Sequence, residues 1–211
     1  MTIPARLLFS AAFACSLLHA GAWASPARSL GQGLSYYRVH ELPADLPSPA
    51  SAHPGPCVLD VRFAKASETD AWALRAWVRF NAAARTPIFV LENEATAVAL
   101  RAALQGSGPA GIIVLAPASA GIAADITVRV APDTDRRAYD AVEKGAPIES
   151  LLADNPEKPR VDEEYLEKEH LSDSDAPDVA PGKPSPSPPL VDAMLQRAVQ
   201  LHRGLIALKR L

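Results

Sequence analysis

Hydrophobic and polar positions along this chain switch repeatedly between a period of two and a period of three to four, and the switches mark out its elements. Residues 34–42 (LSYYRVHEL) interleave β-branched and aromatic side chains with polar ones, which predicts a strand. Residues 57–63 (CVLDVRF) form a short apolar run charged at its far end, as a buried strand would. Residues 67–84 predict a helix: Ser67 followed by Asp70 resembles a capping box, and Glu68 and Asp70 suit the positive end of the helix dipole. Ala71, Leu74, Trp77 and Val78 make its apolar stripe, while Trp72, Ala76 and Phe80 lie off that stripe. A helix that is apolar on more than one side is either deeply buried or touches a partner.

PIFVL at 87–91 is a strand opened by a proline, and Asn93 is placed to cap a helix running to Leu104. GIIVL at 111–115 predicts another buried strand, and the alternation in DITVRV at 125–130 predicts one with a wet face. Residues 133–142 and 147–152 predict short helices. Residues 190–211 predict a terminal helix with Val191, Leu195, Ala198, Leu205 and Leu208 at helical spacing. Strands separated by helical crossovers imply an α/β domain with largely parallel pairing.

The ends and the composition divide the chain further. Arg6, the apolar run 7–18 and Ala22-Trp23-Ala24 have the layout of a secretory signal peptide over 1–24, with Cys15 a weaker alternative as a lipid anchor. A flexible, untethered leader is expected over 25–33, the core over 34–154 and a charged, Pro-rich linker over 155–189. Export to a bacterial periplasm or beyond follows, with no stable membrane span once the signal is removed. Only Cys57 then remains, which excludes an internal disulfide and suits a small buried hydrophobe. A net charge of −3 without a basic run argues against a nucleic-acid surface.

The order of segments resembles the C-terminal processing (tail-specific) serine peptidases, whose core is ClpP/crotonase-like. Ser35-Tyr36-Tyr37-Arg38-Val39 matches that family's G-Y-I-R-I strand, and Leu59-Asp60-Val61-Arg62 its D-L-R. Residues 94–99 (EATAVA) fall at its strand-to-helix junction T-A-S-A-S-E, Ala124-Asp125-Ile126-Thr127-Val128 at P-D-I-x-V, and residues 192–198 at its final D-x-x-L-x-x-A helix. The resemblance implies a serine nucleophile activated by a lysine, at a helix N-terminus that favours developing negative charge. Aligning Thr96-Ala97 with the family's Thr-Ala puts Val98 at the nucleophile position, and Leu100 and Arg101 replace the Ser and Glu beyond it. No lysine occurs between Arg101 and Val142, the first being Lys144. Phe63-Ala64-Lys65-Ala66-Ser67 replaces the oxyanion glycines.

The expectation is therefore a pseudo-peptidase with no catalytic residues, no cofactor and no metal. It would bind a peptide or protein partner, for example by strand addition beside a sheet edge, or serve as a structural module. The alternative is a serine-type hydrolase whose active residues lie elsewhere, with Thr96, Ser107 or Ser119 as the hydroxyl, although local backbone bonds and turns explain those three more simply. His40, His53, His170 and His202 lack the spacing of a metal site, and the run Glu163, Glu164, Glu167, Glu169 reads as a solvated face. Asp60 and Arg62 read as a fold-supporting pair. A crotonase-type acyl-CoA enzyme lacks its glycines and, outside the cytoplasm, its cofactor.

Overall fold

A computed structural model describes residues 27–47, 55–105, 110–152 and 189–211. The expected signal peptide, Cys15, Ser107, His53, His170 and nearly all of the Pro-rich linker lie outside them. Six strands form one sheet in the order β1 (Arg28–Ser29), β2 (Ser35–Arg38), β3 (Cys57–Asp60), β4 (Ile88–Leu91), β5 (Ile112–Pro117) and β6 (Ile126–Val128). Every pair is parallel except β1–β2. The chain is thus an α/β protein built on a mostly parallel sheet.

Each strand is laid down beside its predecessor, so right-handed crossovers carry successive helices to one face. Helix α1 (Glu68–Asn81) and helix α2 (Val98–Leu104) pack there on Cys57, Leu59, Ile88, Val90 and Val114. Helix α3 (Pro132–Glu143) follows β6, and helix α4 (Ala193–Ala207) covers the other face over Val58, Phe89, Leu91 and Leu115. With both faces covered, β3 and β4 are buried at every position, which explains why they read as continuous apolar runs. Edge strand β6 keeps the anticipated alternation, with Thr127 exposed.

Local chemistry sets the element ends. Ser67 and Asp70 form the full capping box of α1, each bonding the backbone N–H of the other. Asp192 caps α4 by accepting from Leu195 N at 3.0 Å. Asn93 does not cap α2. Its Oδ1 accepts from Ala95 N, and its own N–H goes to Thr96 Oγ1, so both groups close a separate turn and α2 starts at Val98 behind an uncapped Ala97.

Two further expectations are corrected. The leader is not untethered in its described part: Arg28 and Ser29 pair with Tyr36 and Ser35, and Leu30 is buried in the core. Two residues of pairing beside a buried leucine give too short a pattern to read as a strand. The buried stripe of α4 is Met194, Leu195, Ala198, Val199 and His202, and Leu208 lies past the helix in solvent.

Gly111 opens β5 at φ +105°, and a Cβ there would stand 2.2 Å from the Ala83 carbonyl oxygen. Its own carbonyl accepts from Ile88 N at 2.8 Å, so the backbone cannot shift without loosening β4. Gly111→Ala should therefore lower stability by more than about 1 kcal/mol, read as a lower urea midpoint with an unchanged slope.

Candidate functional site

The carboxyl ends of the parallel strands hold most of the buried charge. β3 ends at Asp60, and two residues on, the Arg62 guanidinium sits fully buried among three carboxylates. Its Nε and Nη2 grip both oxygens of Asp60 at 3.0 and 2.7 Å. Nη1 donates to Asp135 at 2.7 Å and to Asp192 at 3.2 Å, and Nη2 donates again to Asp192 at 2.7 Å. All five N–H groups of the guanidinium are thereby used.

The carboxylates have further donors. Tyr36 Oη donates to Asp60 at 2.7 Å, and Asn93 Nδ2 to Asp135 at 2.9 Å. Asp135 lies in the first turn of α3 and Asp192 caps α4, so two positive helix ends help carry three negative charges on one cation. Burial alone would raise the Asp60 carboxyl, but the adjacent Arg62 charge and hydrogen bonds hold it below the ordinary value. Burial and the Asp60 charge push the Tyr36 phenol well up, so it stays a proton donor. The Asp60–Arg62 pair is fold-supporting, as expected, and it ties β3 to the starts of two helices. No donor of the guanidinium is left for a ligand.

A stack of side chains closes the rim beside this cluster. The Arg38 guanidinium lies 3.5 Å from the centre of the Tyr139 ring, Tyr139 meets Phe63 at 4.7 Å, and Arg136 covers Phe63 at 4.6 Å. Arg38 Nη2 also reaches the Tyr139 carbonyl and Glu143, each at 3.0 Å.

Glu92, one residue past β4, was not singled out from the sequence. It is fully buried, and neither carboxylate oxygen has a hydrogen-bond partner among the described residues. Burial raises its pKa to about 7; the nearby Arg101 charge opposes this and Asp125 adds to it. Its only sequence signal is a charge directly following a four-residue apolar strand.

On the outer surface, a groove of about 550 Å³ runs between α1 and α2. Four alanines, Ala71, Ala99, Ala102 and Ala103, line it together with Trp72, Val98, Glu68 and Arg75. Val98 is the first residue of α2 and is 71% exposed. The groove lies between two helices and not beside a sheet edge.

The other candidate residues do not converge on it. Thr96 is buried, donates to the Val61 carbonyl at 3.1 Å and accepts from Asn93 N. Ser119 sits in a 3₁₀ turn at Ala118–Ala120, and Lys144 ends α3. Cys57 is buried in the core, where burial pushes its thiol up to about 12. His202 bonds the Gln32 carbonyl, His40 lies near Glu143, and among the described residues no group of three metal-binding side chains forms. No helix among the described residues is long and apolar enough to cross a membrane. Comparison with known proteins adds no relative, since no family model, curated protein or solved structure matches the chain.

Two outcomes follow from the buried charges. Arg62→Met leaves three carboxylates around a missing cation and should cost about 3–5 kcal/mol in urea unfolding. Glu92 has a folded-state pKa of about 7, above the ordinary 4.5. As pH rises from 4.5 to 7 the unfolded chain ionises this group while the folded chain keeps its proton, so stability falls across that window and stays low above it. Glu92→Gln should flatten that part of the pH–stability curve and raise stability at pH 8 by about 1–2 kcal/mol.

Proposed function

We propose that the chain is an exported, non-catalytic domain of the C-terminal processing peptidase kind, with a ClpP/crotonase-like core, that binds a peptide or protein in the groove between α1 and α2. The observation that carries this reading is Val98. It stands in the open at the first position of α2, on the groove wall, where the resemblance calls for a nucleophile. Its aliphatic side chain can contact a ligand but cannot attack one.

The surrounding backbone supports the same reading. An acyl-transfer site needs N–H groups aimed at the developing oxyanion. Here the loop after Arg62 turns the Ala64 carbonyl toward the junction, where it accepts from Ala97 N at 3.0 Å. The Phe63 N–H is directed to Asn93 Oδ1. The junction is therefore lined with an acceptor where a donor would be required. Thr96, the nearest hydroxyl, is buried and committed to backbone partners, which disfavours the alternative of a hydrolase using that residue.

What remains is an alanine-lined groove with an exposed tryptophan. Small lining residues let a ligand backbone or side chain approach closely, and Trp72 supplies a rigid apolar surface of the kind that anchors interfaces. Trp72 also reports on the site, because Trp77 is buried and Trp23 falls within the expected signal peptide.

The mature protein should resist labelling by a serine-directed fluorophosphonate. Titration with a mixed peptide library should shift its tryptophan emission to the blue, and Val98→Asp should abolish that shift without lowering the unfolding midpoint. Stoichiometric labelling lost in Thr96→Ala or Ser119→Ala would overturn the non-catalytic reading. An emission spectrum indifferent to every peptide would overturn the groove as the binding site.

A further inference from the structure

Glu92 is a buried acid to which peptide binding alone gives no role. Its side chain is shut off from water, and neither carboxylate oxygen has a hydrogen-bond partner among the described residues. Its backbone N–H donates to the Leu115 carbonyl at 3.0 Å, so the residue is fixed to the sheet. Two charged groups act on it, Arg101 of α2 and Asp125 just ahead of β6. Asp125 has the same sign, and its Oδ2 already accepts from Val114 N at 2.8 Å. The opposite charge comes from Arg101, whose Nε is itself buried and without a hydrogen-bond partner among the described residues.

A carboxyl and a guanidinium nitrogen that attract each other without bonding form a poised pair. While Glu92 keeps its proton, the two gain little from contact. Once it ionises, an unpartnered carboxylate in the interior is costly, and a bond to the guanidinium relieves that cost. Burial raises the Glu92 pKa to about 7, so the change falls near neutrality. The sheet is the rigid side of this pair and α2 the yielding one. Helix α2 has 7 residues, buries Leu100 and Leu104, and starts behind Ala97 without a side-chain cap. Helix α1 has 14 residues and a full capping box. Elements with few buried contacts open first. The Ala97 N–H is tied to the Ala64 carbonyl at 3.0 Å, so the freer end of α2 is the one that carries Arg101, Ala102 and Ala103.

We propose that Glu92 and Arg101 make α2 a proton-operated wall of the groove: ionisation of Glu92 draws Arg101 onto the carboxylate and shifts the helix. The arginine Nε sits on a short stem close to the backbone, so it reaches the carboxylate by carrying the helix with it. Val98, Ala99, Ala102 and Ala103 of α2 line the groove, and a shift of the helix therefore changes the groove's shape. The switch takes its functional meaning from the reading of that groove as a binding site, while the movement itself stands on the Glu92–Arg101 pair.

Spin labels on Arg79→Cys in α1 and Ala102→Cys in α2, both exposed positions, test it in the full mature chain, where Cys57 is buried. The distance between the labels should change from pH 6 to pH 8 with one midpoint near 7. Glu92→Gln should hold it at its pH 6 value throughout. Arg101→Met removes the charge that favours ionisation, so its midpoint should move to higher pH. In the unlabelled chain, peptide affinity should fall about tenfold from pH 6 to pH 8, because about a tenth of the chains keep the protonated arrangement one pH unit above the midpoint.

A label distance that is the same at pH 6 and pH 8 would overturn the inference. So would a change that persists in Glu92→Gln, a midpoint indifferent to Arg101→Met, or a peptide affinity equal at the two pH values. Peptide titration at pH 6 separates this result from the groove reading. A peptide-induced shift in tryptophan emission beside an immobile α2 removes the switch and leaves the groove standing. A moving α2 with no response to any peptide keeps the Glu92–Arg101 movement and removes the groove as the binding site.

Discussion

One guanidinium organises the end of this fold where the strands stop. Arg62 leaves β3, turns its donors back onto Asp60, and reaches Asp135 and Asp192 with the rest. Those two aspartates begin helices that are far apart in the chain, so one cation fixes where α3 and α4 start relative to the sheet. A buried ion cluster of this sort is a weak source of net stability, because desolvation offsets most of the Coulomb attraction. Its effect is on arrangement: three carboxylates cannot be buried together anywhere except around this arginine and two helix N-termini. Asp60, Asp135 and Asp192 are buried for the same reason.

That use of charge bears directly on function. In many open α/β sheets the carboxyl ends of the strands face a crevice where strand order reverses, and ligands bind there. Here strand order never reverses. The corresponding end is occupied by the arginine cluster and by the stack of Arg38, Tyr139, Phe63 and Arg136. The one groove described on this fold lies instead on the helical layer, between α1 and α2.

Much of the architecture was legible in local patterns. The Ser67–Asp70 capping box, the apolar runs of β3 and β4 and the helical spacing of α1 each carry a signal within a few residues, and all appear in the fold. The Trp72, Ala76 and Phe80 positions off the α1 stripe were visible too, because helical periodicity alone separates one face from another. Other features had no local signal. Asn93 has the chemistry of a helix cap but closes a turn with Thr96 instead. The β1 pairing rests on two residues, and Glu92 looks like any charge after a strand although the fold buries it completely.

The sequence by itself determined where strands β2 to β6 and the four helices form, that the strands run mainly parallel, and that Val98 brings no reactive group to its position. These follow from side-chain periodicity, capping residues and functional-group chemistry, all of which act over a turn or two of chain. Only the tertiary structure decided that Arg62 would gather Asp135 and Asp192, 73 and 130 residues away, and that Glu92 would be buried without a partner. It alone brought Val98 and Trp72 to the lining of one groove. Contacts of that kind depend on where distant elements dock, and docking is fixed by packing of the whole core, which no single stretch of sequence encodes.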